Sequence, residues 1–126
     1  MAKVEMLNDI IAWELLWNSL EIPGAGPVLI FKRSPRCATS LRIEQDFQVF
    51  VKDHVESGKV RVRSVDVIAS RAVSQKIATD TGVTHESPQA LLLGSGQKVL
   101  WHASHQAITE PELSEAMSSV GAEVKG

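Results

Sequence analysis

One thiol, that of Cys37, is the side chain in this sequence best suited to covalent chemistry. Three cations, Lys32, Arg33 and Arg36, precede it within five positions. Nearby positive charge stabilises a thiolate relative to a thiol, and the thiolate is the form that attacks a disulfide. The run from residue 32 to residue 40 therefore predicts an activated cysteine that takes part in redox chemistry.

Ser40 decides which steps this cysteine can complete alone. The run "CATS" has the spacing of a C-x-x-C redox motif, but Ser40 stands where the second cysteine would be. A serine cannot resolve a mixed disulfide, although its hydroxyl can donate a hydrogen bond to the sulfur of Cys37 from the same helical turn. A disulfide formed on Cys37 must therefore be resolved by a thiol from another molecule.

The elements on either side of Cys37 support this interpretation. The apolar run "VLIF", residues 28–31, is typical of a central strand covered on both faces, and a helix is predicted from about residue 38 to residue 56. Cys37 would then lie at the start of a helix, where backbone N–H groups and the macrodipole favour an anion. We expect its pKa to lie below the free-thiol value of about 8.5. Two alternatives stay open: a small buried hydrophobe for Cys37, and a solvated loop for the cations.

The rest of the chain reads as alternating helices and strands. Helices are predicted from an N-cap at Asn8 or Asp9 to about Leu20, and from the N-cap Ser70 to Thr81 with Gly82 as its stop. A strand is predicted over residues 60–68, an antiparallel hairpin over residues 90–93 and 99–103, and a last helix from the capping box of Thr109 and Glu112.

This order, α-β-α-β-α-β-β-α, predicts a thioredoxin-like α/β fold. We expect a mixed central sheet of about four strands flanked by four helices, in a single domain over residues 1–126. In the first helix, Ile11, Leu15 and Leu16 widen the apolar stripe beyond what a core needs, so some apolar surface could remain for a partner.

Composition excludes several classes of function. The 126 residues carry a net charge of −2, which gives no basic field for nucleic acid, and one cysteine allows no internal disulfide. The first 20 residues lack the pattern of a signal peptide, and no apolar run approaches the roughly 20 residues that span a bilayer. We expect a cytoplasmic protein that binds neither nucleic acid nor membrane.

A second candidate site is the dipeptide Ser87–Pro88, which stands directly before the apolar run "ALLL". In thioredoxin-like proteins the proline at this place is cis and faces the cysteine, and the residue before it offers its backbone to the bound thiol substrate. We expect the same of Ser87 and Pro88. His85 and Glu86 could line this groove. His102 and His105 lack further ligands at metal-site spacing, so no metal site is predicted.

Three runs, "VLIFKRSPRCATS", "THESPQALLL" and "VLWHASHQAIT", resemble the monothiol bacilliredoxins, thioredoxin-like proteins of the bacillithiol system. The similarity in spacing and order extends from about Leu15 to Met117. Around the thiol, this chain has four residues of the family's pattern: Lys32, Ser34, Cys37 and Ser40. It differs at Arg33, Thr39 and Ala38, the last replacing the family's proline after the cysteine.

The resemblance implies a function for Cys37. It implies that Cys37 attacks S-bacillithiolated client proteins, frees them and takes the bacillithiol onto itself, with no permanently bound cofactor. Bacillithiol, or a similar low-molecular-weight thiol, is then a co-substrate. Its malate carboxylates could pair with Lys32, Arg33 or Arg36.

Two other classes of function remain open at this point. A monothiol glutaredoxin-like carrier would bridge an iron–sulfur cluster between two chains. A redox-silent interaction module would keep the fold without the chemistry. A weak homodimer is compatible with any of these functions.

Overall fold

Five strands and four helices are present in the structure, a computed structural model that describes residues 4–34, 38–55 and 60–125. The strands are β1 (Glu5–Met6), β2 (Val28–Arg33), β3 (Arg61–Asp66), β4 (Gln89–Gly94) and β5 (Lys98–Ser104). The helices are α1 (Ile10–Ser19), α2 (Ala38–Val55), α3 (Arg71–Thr81) and α4 (Glu110–Lys125), with a 3₁₀ turn at His105–Ala107.

The strands form one mixed sheet in the order β1-β3-β2-β4-β5. Strand β2 is central: it pairs parallel with β3 and antiparallel with β4, and β4 and β5 form the expected antiparallel hairpin. The predicted thioredoxin-like architecture is confirmed, with one more strand than expected. That strand, β1, has two residues and pairs parallel with β3 through Glu5 and Met6, which is too short to leave a periodic signal in the sequence.

The predicted helix ends are largely confirmed. Asp9 caps α1, since its Oδ1 accepts a hydrogen bond from the N–H of Ala12 at 2.8 Å. Gly82 ends α3 in the left-handed conformation at φ 75°. Thr109 caps α4 by accepting from the N–H of Glu112 at 3.3 Å. Ser70 stands at the N-cap position of α3, but its side chain makes no capping bond.

Two hydrophobic layers cover the faces of the sheet. Successive side chains of β2 point to opposite faces, so Phe31 packs with Phe47 of α2 while Ile30 packs with Trp13 of α1. The indole N–H of Trp13 also donates to Asp80 Oδ2 at 2.8 Å, which joins α1 to α3. Lys32 follows the same alternation, and this places a cation on the face covered by α1 and α3.

Some apolar surface stays uncovered, as the sequence suggested. Ile11 and Leu15 on α1 are 70% and 68% exposed. The expectation was wrong for Leu16, which is buried in the core beneath α1 with Trp13 and Leu20. Among the described residues, no helix combines the length and apolar character needed to cross a membrane.

Candidate active site

The expected junction between strand and helix is present at the carboxyl end of β2. The strand ends at Arg33 and α2 begins at Ala38, the residue that follows Cys37. Cys37 and Arg36 themselves lie outside the described residues, so their predicted roles stay predictions. The structure does describe the residues that flank them in the chain.

Ser40 ties the two sides of this junction together. Its side chain is fully buried in the first turn of α2, and its Oγ accepts a hydrogen bond from the backbone N–H of Ser34 at 3.3 Å. Because the hydroxyl is the acceptor here, its hydrogen can be donated elsewhere. The predicted bond from Ser40 to the sulfur of Cys37 is compatible with this geometry and stays a prediction.

Lys32 lies beneath the junction with its side chain fully buried. Its Nζ donates to the backbone oxygen of Ser74 on α3 at 3.0 Å and lies 3.3 Å from Nδ1 of His85. Burial in a poorly solvated site lowers the pKa of Lys32 to about 8, because desolvation disfavours the charged form.

His85 completes a small polar cluster with Lys32 and Ser74. Its Nδ1 also lies 3.0 Å from the hydroxyl of Ser74. Burial, and next the charge of Lys32, lower the pKa of His85, so the ring is neutral at pH 7 and its Nδ1 can accept a hydrogen bond. The cluster therefore connects β2 and α3 with the loop that leads to Pro88.

Arg33 is held by two carboxylates of its own chain. Its Nε donates to both carboxylate oxygens of Glu44 at 2.9 and 3.0 Å, and its Nη1 lies 3.5 Å from Oδ2 of Asp66. The expected contact between Lys32 or Arg33 and a ligand carboxylate stays a prediction. In the free protein both cations already have internal partners, which a carboxylate ligand would have to replace.

Asp66 also organises the turn after β3. Its Oδ1 accepts hydrogen bonds from the backbone N–H groups of Ile68 and Ala69 at 2.9 and 3.0 Å. The bond from Ala69 is the main cause that holds the pKa of Asp66 below its usual value. Burial acts in the opposite direction, and the bond from Ile68 and the charge of Arg33 add to the lowering.

The peptide bond Ser87–Pro88 is cis, as predicted. The antiparallel register places Lys32 opposite Gln89, the first residue of β4. The residues that follow β2 therefore lie next to those that precede β4. This arrangement brings the cis-proline loop to the same end of the sheet as the junction that contains the cysteine.

His105 is a residue of this region whose position the sequence did not reveal. Its backbone N–H donates to the carbonyl oxygen of Pro88 at 3.0 Å, and its own backbone is left-handed at φ 54°. Its Nε2 lies 3.6 Å from Oε2 of Glu86, across the loop from the cis bond. The sequence could indicate only that His105 follows the last strand, because the contact with Pro88 is made by the backbone.

Metal-binding geometry is not found in the described ranges 4–34, 38–55 and 60–125. In these residues, no group of three or more His, Cys, Asp or Glu side chains could hold a metal ion.

The comparison with known families decides the family of this chain. Residues 12–113 match the family described as monothiol bacilliredoxin BrxC. The chain belongs to the monothiol bacilliredoxin family. The resemblance inferred from three sequence runs is thereby confirmed, and membership places this bacilliredoxin among thiol–disulfide oxidoreductases of thioredoxin fold.

Solved structures similar to this bacilliredoxin agree on the fold. A protein of thioredoxin fold that has been proposed to be an oxidoreductase is 25% identical, with a TM-score of 0.74 over 90% of this chain and 92% of that chain. The thioredoxin NaTrxh from Nicotiana alata is 19% identical, with a TM-score of 0.72 over 94% and 92%. The thioredoxin from Trypanosoma brucei brucei is 13% identical, with a TM-score of 0.70 over 96% and 93%.

Proposed function

We propose that this bacilliredoxin removes bacillithiol from S-bacillithiolated proteins. The observation that supports this proposal is that α2 begins at Ala38, the residue that follows the single cysteine in the sequence, and that the cis Ser87–Pro88 bond lies at the same end of the sheet as the start of α2. Such a site can accept a thiol but cannot resolve the resulting disulfide itself.

The proposed reaction has two thiol–disulfide exchanges. In the first, the thiolate of Cys37 attacks the bacillithiol sulfur of the client's mixed disulfide, and the client leaves as a thiolate that takes a proton from water. In the second, an external low-molecular-weight thiolate attacks the bacillithiol sulfur on Cys37 and regenerates the thiolate of Cys37. No net oxidation occurs in either step, since one disulfide is broken and one is formed.

The residues around the thiol support this proposal in different ways. Ser34 and Ser40 connect the start of the loop to the first turn of α2. Ser87 is the candidate for backbone contacts with the bound disulfide, and Arg36 for a contact with a bacillithiol carboxylate. We place the reaction in the cytoplasm, because a thiol that must be regenerated by small thiols needs a reducing compartment.

The test uses a purified protein that carries bacillithiol on one cysteine. After incubation with wild-type protein, intact mass spectrometry should show that the mass of bacillithiol has moved from the client to this chain. Free bacillithiol added afterwards should remove that mass from this chain. Cys37→Ser is the matched control and should leave the client modified. If the client lost bacillithiol as fast with Cys37→Ser as with wild type, the proposal would be contradicted. It would also be contradicted if, after incubation with wild type, the client kept its bacillithiol and the wild-type chain gained none.

A parallel reaction with the same client carrying glutathione tests the choice of thiol. Faster transfer of bacillithiol than of glutathione supports the proposed co-substrate. Equal or reversed rates would replace bacillithiol by a broader class of small thiols while keeping the thiol–disulfide exchange.

A further inference from the structure

An open pocket of about 400 Å³ lies beside the cis-proline loop. Thr84 and Glu86 line it from the loop after α3, Gln89 forms part of it at the start of β4, and His102 and Ser104 line it from β5. Glu86 and Gln89 directly flank the Ser87–Pro88 bond in the chain. A volume of this size is in the range of small-molecule sites, and its place makes it a neighbour of the proposed thiol groove.

Glu86 is the one carboxylate among the described residues that line this pocket, and neither lysine nor arginine is among them. Its partner in the free protein is His105, at 3.6 Å between Oε2 and Nε2, with both side chains about half exposed. Strong charge-assisted bonds are shorter, at about 2.7–2.9 Å. The carboxylate of Glu86 is therefore able to accept a better placed cationic donor.

The side-chain amide of Gln89 is held in place by hydrogen bonds within the lining of the pocket. Nε2 of Gln89 already donates to the carbonyl oxygen of Thr84 at 2.9 Å and to Oγ of Ser104 at 3.3 Å. These bonds fix the orientation of the amide, since only its nitrogen end can donate to a carbonyl. Its Oε1 is buried and receives no hydrogen bond from the described residues.

Three described cations near this loop, Lys32, Arg33 and Arg71, are not among the residues that line the pocket. The ammonium of Lys32 is buried against Ser74, and Arg33 is neutralised by Glu44 and Asp66. The pocket therefore presents a carboxylate to a ligand while these positive charges are held elsewhere.

We propose that this pocket binds the ammonium group of an amine-bearing low-molecular-weight thiol while its sulfur is exchanged at Cys37. Glu86 is the counter-ion of that ammonium, and His105 is the internal partner it displaces. For the identity of the ligand, this assignment rests on the proposed function. Glu86 is then a residue that determines substrate specificity, and disulfides that carry an amine are the substrates that react fastest with Cys37.

The first test compares three small disulfides of different charge: cystamine with two ammonium groups, bis(2-hydroxyethyl) disulfide with none, and dithiodipropionate with two carboxylates. The rate of adduct formation on Cys37 is followed by intact mass at pH 7 and low salt. Glu86→Gln should lower the ratio of the cystamine rate to the hydroxyethyl rate about fivefold, the effect of one partly exposed ion pair. The ratio for dithiodipropionate should change in the opposite direction.

Taking ratios within each variant removes any effect of Glu86 on the thiol itself, because such an effect changes all three rates equally. The matched control is Glu14→Gln, which removes an exposed carboxylate on α1. It should leave the ratios at their wild-type values. Ratios that are the same in wild type and Glu86→Gln overturn the assignment of the pocket.

The second test separates the pocket from the thiol chemistry. Cystamine is titrated into the Cys37→Ser variant, and ¹⁵N–¹H spectra should show saturable shifts at the amides of Thr84, Glu86 and Ser104 that weaken in the double variant with Glu86→Gln. If these shifts are absent, the proposal that the pocket binds an ammonium is contradicted, even where adducts on Cys37 form normally. If wild-type protein forms no adduct with any disulfide, the proposed function falls, and the titration alone decides whether the pocket binds an ammonium.

Discussion

The ammonium of Lys32 on β2 donates to the backbone oxygen of Ser74 on α3 over 3.0 Å, inside the protein and 42 positions away in sequence. With His85 at 3.3 Å from the same nitrogen, this contact connects the strand before the cysteine to the loop before Pro88. The burial of this ammonium also lowers the stability of the folded protein, because folding removes the charged group from water.

Lys32→Met should change how stability depends on pH. The pKa of Lys32 falls from an ordinary 10.5 to about 8 in the folded protein, so the unfolded chain binds the extra proton between these two values. The buried charge of Lys32 lowers the free energy of unfolding by its full amount below about pH 8. This loss decreases as pH rises and is gone above about pH 10.5. At about 1.4 kcal/mol for each pH unit between the two values, the full penalty is about 3 kcal/mol.

Urea unfolding at several pH values from 7 to 10.5 measures this effect. The stability of wild type should rise relative to that of Lys32→Met by roughly 3 kcal/mol over this range. Lys98→Met, at an exposed position of β5, is the control and should run parallel to wild type. Parallel curves for wild type and Lys32→Met would mean that the charge of Lys32 is not desolvated.

Alkylation of Cys37 should show an activated thiol. Cys37 precedes Ala38, where α2 begins, and the start of a helix favours an anion over a neutral group. The rate of reaction with iodoacetamide as a function of pH should have its midpoint below roughly 8.5, and Arg36→Ala should raise that midpoint. A wild-type midpoint at or above the free-thiol value would remove the argument for activation.

Ser40→Cys should convert a stable adduct into a transient one. The introduced thiol would stand three residues after Cys37, the spacing of a C-x-x-C motif. We therefore expect its thiolate to attack the sulfur of Cys37 in a mixed disulfide, close a disulfide within the chain and release the small thiol. Intact mass after oxidation with cystamine should show a lasting adduct in wild type and in Ser40→Ala. The Ser40→Cys protein should instead show a loss of two hydrogens, and a lasting adduct there would contradict the assigned geometry.

Asp66→Asn should weaken the protein at neutral pH and much less in acid. The pKa of Asp66 is held below its usual 3.8, so its contribution is complete above that value and is lost as pH falls through the folded-state pKa. Removing the charge that faces Arg33 and two backbone N–H groups should cost about 1 kcal/mol at pH 7. Urea midpoints at pH 7 and pH 3 measure the difference, with the exposed Asp46→Asn as the control; a difference from wild type that is the same at both pH values would contradict the assignment.

The sequence by itself determined the features that depend on local physics. Apolar runs predicted β2 and β4, and Asp9, Gly82 and Thr109 marked helix ends through side-chain or backbone preferences that act within a few residues. Cys37 was found because it is the only thiol, and its spacing to Ser40 defined the monothiol chemistry. The order of the elements then restricted the fold to one topology.

Only the tertiary structure decided where the charges near the thiol go. From the sequence, the cations before Cys37 were expected to lie near the thiol and to be able to pair with ligand carboxylates. In the structure, alternation along β2 turns Lys32 into the face covered by α3, and pairing with β3 brings Asp66 to Arg33. The contact of His105 with Pro88 and the pocket beside Glu86 likewise join residues from distant parts of the chain. Such contacts depend on which strands become neighbours, and residue types within a short window carry no information about that choice.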